Sequence, residues 1–98
     1  MTREEKIWQA KVRDFGCIAC YVQTGIKGTP CCVHHLTDTG RRIDEMHTIG
    51  LCNPGHHKDP QPGSGKTPFH HNKRNFTEAY GSEVDLWELT KTLLNPTQ

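Results

Sequence analysis

Cys17-Ile18-Ala19-Cys20 and, 31 residues further along, Cys52-Asn53-Pro54-Gly55-His56 are the stretches whose reading decides the fold. Two intervening residues let both thiolates of a Cys-x2-Cys pair bind one zinc from a tight turn, and tetrahedral zinc accepts sulfur and imidazole nitrogen together. The pattern Cys-x2-Cys…Cys-x3-His therefore predicts one closed structural zinc site built from Cys17, Cys20, Cys52 and His56. Such a site contributes folding free energy outright. Cys31 and Cys32 are adjacent, so on a strand their side chains face opposite ways and do not easily join one tetrahedron. The preferred reading packs one in the core and leaves the other a spare thiol. The alternative lets either of them replace one zinc ligand.

Working outward, the composition agrees with a metal-held domain. Ninety-eight residues make one domain, and a hydrophobic fraction of 33% is thin for a large core. Small chains of this kind lean on disulfides or a structural metal. No apolar run follows a basic start, and no stretch approaches a membrane span, so the expected location is the cytoplasm, with no membrane partner. In that reducing compartment five cysteines read as metal ligands rather than a disulfide framework. The net charge of +1 is uninformative, but its distribution is not. Between His57 and Asn75, Lys58, Lys66, Lys73 and Arg74 stand against Asp59 alone, while Glu78, Glu83, Asp85 and Glu88 later stand against Lys91. A local phosphate-binding face fits this distribution, and so does an ordinary solvated mix of charges.

Thr2 and Glu5 have capping-box spacing, Trp8, Val12 and Phe15 recur at helical spacing, and Gly16 is a natural stop. The Cys17–Cys20 stretch reads as a compact turn, and residues 24–30 as loop. Cys31 to Leu36 predicts a short strand, Thr37 to Glu45 a polar hairpin loop, and His47 to Leu51 the returning strand. Residues 59–68 hold three prolines and two glycines and read as a surface loop. A helix is expected over Lys73 to Tyr80, ended by Gly81. Ser82 with Asp85 starts another, with Leu86, Leu89 and Leu93 on one face until Asn95-Pro96. The result is an α+β class, a short β-hairpin packed with helices.

Three histidine doublets remain: His34-His35, His56-His57 and His70-His71. Val33-His34-His35-Leu36, then Thr48-Ile49-Gly50-Leu51-Cys52 and His56-His57, resemble the pattern of HNH (ββα-metal, His-Me finger) nucleases. With Gly16-Cys17-Ile18-Ala19-Cys20 ahead and Phe76-Thr77-Glu78-Ala79-Tyr80-Gly81 behind, the chain is most similar to phage Ref proteins, recombination-enhancing nucleases whose cutting depends on RecA filaments. The resemblance implies a single zinc-stabilised ββα-metal nuclease domain over residues 1–98. Residues 1–15 would form an N-terminal helix, and 16–94 the zinc knuckle and core.

It further implies that His34 and His57 bind a catalytic divalent cation (Mg2+, Mn2+ or Zn2+) and that His35 is the general base. His70 would complete that site, with His71 as the alternative. One extra residue between Cys52 and the histidine pair leaves the division between His56 and His57 open. The loop between the strands lacks the family's asparagine, and His47 or Asp44 is the candidate to serve there. Histidine suits the base role because its ordinary pKa lies near 6.5. Lys58, Lys66, Lys73 and Arg74 would hold DNA phosphates without reading sequence. The implied activity is DNA phosphodiester hydrolysis by a phage-encoded enzyme, with DNA and RecA as partners in the host cytoplasm. The alternative is a catalytically silent zinc-binding adaptor, which needs the first four ligands but has no use for the remaining histidines.

Overall fold

A computed structural model describes residues 1–94. The first helix, α1 (Arg3–Phe15), starts with the expected capping box: Thr2 Oγ1 accepts the Glu5 N–H at 3.1 Å, and Glu5 Oε1 accepts the Thr2 N–H at 2.6 Å. Its buried face carries Trp8, Gln9 and Val12, so an amide sits among the expected apolar residues. Gly16 ends it at φ 97°, where a Cβ would lie 2.6 Å from the Thr29 carbonyl oxygen. Only glycine fits that conformation and approach.

The Cys17–Cys20 stretch is not the bare turn expected from sequence. It opens a second helix, α2 (Ile18–Thr24), with Cys17 as its N-cap and Cys17 Sγ accepting the Cys20 N–H at 3.4 Å. The reason is geometric: Cys-x2-Cys has the same spacing as an N-cap and the third residue of a helix. Ile18 and Ala19 then turn fully into the core.

Strand β1 (Cys32–His35) pairs antiparallel with a strand at Thr48–Leu51, placing Val33 opposite Gly50, His34 opposite Ile49 and His35 opposite Thr48. Between them, β2 (Thr37–Asp38) and β3 (Arg41–Arg42) form a second, very short hairpin where the sequence predicted only loop. Thr39 and Gly40 close it with φ of 51° and 81°, the positive-φ pair of a tight hairpin turn. All four strand residues are exposed, so no apolar alternation marked them.

The returning strand, β4 (Thr48–Leu51), is buried throughout and packs against α1, α2 and a C-terminal helix. A Cβ on Gly50 would lie 2.5 Å from the Gly16 carbonyl oxygen and 2.7 Å from Cys31 Sγ. That close backbone contact lets α1 lie directly on the strand. Helix α3 (Lys73–Tyr80) ends at Gly81 as expected. Helix α4 (Glu83–Leu94) follows, with Ser82 Oγ accepting the Asp85 N–H at 3.1 Å. The expected helix stop at Asn95-Pro96 lies outside the described residues. Ile18, Leu36, Ile49, Leu51, Phe76 and Leu86 form the sealed centre. Among the described residues no helix is long and apolar enough to cross a membrane.

Candidate metal centres and the histidine cleft

Two elements converge on the first cluster. The N-terminus of α2 presents Cys17 and Cys20, and the chain leaving β4 presents Cys52 and His56, whose N–H turns back to the Cys52 carbonyl at 3.0 Å. All four side chains are buried. Nδ1 of His56 lies 3.4, 3.5 and 3.3 Å from the sulfurs of Cys17, Cys20 and Cys52, and Cys20 Sγ is 3.8 Å from Cys52 Sγ. Tetrahedral zinc, with bonds of about 2.3 Å to sulfur and 2.0–2.1 Å to nitrogen, sets S···S edges of about 3.8 Å and S···N edges of about 3.6 Å. The cluster could hold a metal such as zinc, and its cysteines are free rather than disulfide-bonded.

The surroundings fit that use. His56 Nε2 meets Gln23 Oε1 at 3.0 Å, and an N–H there leaves Nδ1 bare toward the sulfurs. Burial first, and then Lys66, pull the His56 pKa down to about 4, so the ring is neutral at ordinary pH. Burial pushes the Cys17 thiol up. At Cys52 burial also pushes upward, but the His56 backbone N–H, the other two cysteines and Lys66 outweigh it and leave the thiol lowered. Lys66 Nζ lies 3.5 Å from Cys52 Sγ. Neither neighbouring cysteine joins: Cys31 Sγ faces the Val12 and Arg13 carbonyls at 4.0 and 3.9 Å, and Cys32 is exposed.

The second cluster is built by pairing the chain after Cys52 with the chain before α3. Phe69 N–H meets the His56 carbonyl and His70 N–H meets the His57 carbonyl, each at 2.8 Å, closing the Pro/Gly loop between them. His57 and His70 are thereby set side by side beneath His34 of β1, with ring centroids 4.9 to 5.2 Å apart. Each offers one nitrogen within 4.8 Å of the others'. His71 is exposed and outside this group.

His34 Nε2 meets buried Glu83 Oε2 at 2.9 Å, and Lys73 Nζ lies 3.7 Å from the other carboxylate oxygen. Nδ1 of His57 is buried without a hydrogen-bond partner among the described residues. A buried imidazole nitrogen without a partner, on a ring packed against two further imidazoles, fits a cation that would occupy its lone pair. Burial first, then His34, His70 and Lys58, lower the His57 pKa to about 4. Burial, His34 and Lys58 also lower His70, against the opposing pull of Glu83.

These rings open into a cleft of about 220 Å³ whose lining includes His34, His35, His57, His70, Arg42 and Lys58. His35 points away from Glu83: its Nε2 meets Glu45 Oε2 at 2.7 Å. That contact, with a hydrogen bond from Gln9, holds the Glu45 carboxyl below its usual range. Asp44 and His47, the sequence candidates for the loop role, pair with each other at 2.8 Å, and Asp44 also accepts the Met46 and His47 N–H groups. A larger cavity of about 390 Å³, bounded by Phe15, Tyr21, Lys27 and Leu93, contains no histidine or cysteine and offers none of this chemistry.

The four sequence-nominated cations have different neighbours. Lys58 borders the cleft, Lys66 caps the thiol cluster, Lys73 leans on Glu83, and exposed Arg74 pairs with Glu78 at 3.4 Å. Sequence reasoning missed Arg42, Glu45, Glu83 and Gln23. Nothing in their spacing marks them, because each meets its partner across a tertiary contact.

The fold and its two clusters define a small α+β protein whose Cys/His groups could hold metal. A family model described as "Recombination enhancement, RecA-dependent nuclease" matches residues 1–95, and the chain belongs to that family. By that description it is one of a family of nucleases acting in recombination, which implies involvement of DNA and RecA. No curated protein matches the chain.

Proposed function

We propose that residues 1–98 form a single metal-dependent DNA endonuclease domain of the ββα-metal (HNH) type, phage-encoded and cutting DNA held in RecA filaments. The observation that carries this reading is the convergence of His34, His57 and His70 beside His35 in one open cleft. The antiparallel β1–β4 pair followed by α3 supplies two strands and a helix around it. In this reading zinc at Cys17, Cys20, Cys52 and His56 is structural. His34, His57 and His70 would hold a divalent cation, which when bound would supply Lewis-acid polarisation of the scissile phosphate and charge stabilisation at the leaving 3′-oxygen.

The chain's own groups do the rest. His35 accepts a proton from the attacking water. Glu83 fixes the His34 ring through Nε2. Lys58 and Arg42 border the cleft where phosphate oxygens would lie, with Lys73 and Arg74 farther along the strand's path. Lys66, against Cys52, offsets thiolate charge instead of holding DNA. A silent adaptor has no use for three clustered imidazoles, one of them with a buried nitrogen left unpartnered.

The test is cleavage of circular single-stranded DNA with a divalent cation, with and without RecA and ATP, for wild type and His35→Ala. Cutting is expected only with RecA, and His35→Ala should lose roughly 10²–10⁴-fold in rate while keeping zinc and fold. Equal cutting without RecA removes the filament from the proposal. A wild-type rate for His35→Ala assigns the base elsewhere.

A further inference from the structure

His35 is held from a distance. Its carboxylate partner, Glu45, is in turn grasped by Gln9 of α1, whose Nε2 donates to Glu45 Oε2 at 2.8 Å and to the Glu45 carbonyl at 2.9 Å. Gln9 is only 5% exposed, on a helix face otherwise given to Trp8 and Val12. Burying an amide is costly unless both of its N–H groups are used, and here both go to one residue 36 positions away.

The loop is also held on either side of this contact. Trp8 Nε1 donates to Thr48 Oγ1 at 3.0 Å on one side, and Trp87 Nε1 of α4 donates to the Met46 carbonyl at 3.1 Å on the other. Asp44 closes the turn between them. Gln9 adds one more backbone anchor at the Glu45 carbonyl, and its second N–H is left to aim the Glu45 carboxylate.

We propose that Gln9 and Glu45 are positioning residues of the cleft: α1 fixes the Glu45 carboxylate through Gln9, and Glu45 fixes the tautomer and ring angle of His35. A carboxylate only accepts, so the neutral ring must carry its proton on Nε2. Nδ1 is then the bare nitrogen, and the proton leaving the attacking water goes there while Glu45 remains ionised. The inference rests on His35 being the base. It makes the N-terminal helix part of the catalytic apparatus, in addition to covering the core.

The experiment uses the full zinc-loaded chain in single-turnover cleavage of saturating RecA-coated DNA, with Glu45→Gln, Gln9→Met and each combined with His35→Ala. Glu45→Gln should slow cleavage by roughly 10–100-fold and Gln9→Met by roughly 3–10-fold, with DNA affinity and zinc content unchanged. In the His35→Ala background neither should slow it further, since residues that act through one group are not additive. Nitrogen-15 NMR of wild type should show His35 as the Nε2–H tautomer, and both single variants should lose that single form. Should Glu45→Gln fail to fold, Gln9→Met, outside the cleft, carries the test by rate and spectrum.

Wild-type rates for both single variants, with His35→Ala inactive, overturn the positioning role and leave the base assignment standing. Full additivity with His35→Ala also overturns it, because Gln9 and Glu45 then act on the fold alone. A fully active His35→Ala instead removes the base assignment and this inference with it.

Discussion

The cysteine-rich cluster and the histidine cluster are joined by the adjacent residues His56 and His57, yet they differ in donor set and burial. Cys17, Cys20, Cys52 and His56 supply four ligands, all buried, at tetrahedral spacing. His34, His57 and His70 supply three at the floor of an open cleft, with His70 exposed. Structural zinc sites are closed by four protein ligands, whereas catalytic sites hold three and keep a position for water or substrate. The shell around each follows suit. Gln23 and Lys66 brace the closed cluster, while Glu83 and Glu45 orient imidazoles at the open one. In the proposed reading, adjacent backbone positions send one imidazole to a structural site and the next to a catalytic one.

The sharpest way to break this contrast is to remove one ligand from each side. Cys17→Ser or Cys20→Ser should release zinc and leave an unfolded or insoluble chain. Structural zinc contributes apparent free energies of about 10–16 kcal/mol, comparable with the whole stability of a small domain. His57→Ala should stay folded with its zinc and lose at least about 10²-fold in cleavage, partly restored by excess divalent cation, because even outer-shell partners of a metal cost about 10–100-fold. Circular dichroism, zinc content and cleavage rate measured together decide it. If Cys17→Ser keeps its fold and spectrum, the closed cluster is not structural and the distinction fails.

The two sides were also unequally legible. The cysteine cluster could be read because two of its ligand pairs are local, Cys17 with Cys20 and Cys52 with His56, and local spacing survives in sequence. The helix starts at Thr2 and Ser82 and the stop at Gly81 were legible for the same reason. The histidine cluster needed the resemblance to a family, because the doublets alone do not say which ring of each pair turns inward. The pairing of residues 56–57 with 69–70 makes that choice, sending His70 in and His71 out.

Glu83, Glu45 and Gln9 act across 49, 10 and 36 residues and left no spacing signal. Arg42 was hidden with its two-residue strand. A charge run looks uniform in sequence, and nothing in its spacing shows that the loop brings Lys66 to Cys52.

Acidification offers the finest separation, and its sign follows from burial. His57 has a folded pKa of about 4 against an ordinary 6.5, lowered chiefly by burial and then by His34, His70 and Lys58. Between those two values the unfolded chain binds a proton that the folded chain does not, so stability rises with pH there. The contribution is complete above pH 6.5 and lost as pH falls through 6.5 toward 4. His56 shares the window, also chiefly through burial, and its protonation competes with zinc. Replacing His57 with asparagine in zinc-loaded protein isolates the second cluster. Urea unfolding from pH 7.5 to 4.5 should give a shallower decline than wild type, by up to about 1.4 kcal/mol per pH unit inside the window. Of the decline that survives in His57→Asn, the part from His56 should coincide with zinc release, and the rest comes from His70, which burial also lowers. An unchanged slope would mean that His57 titrates like a surface histidine, which its burial and orphaned Nδ1 argue against.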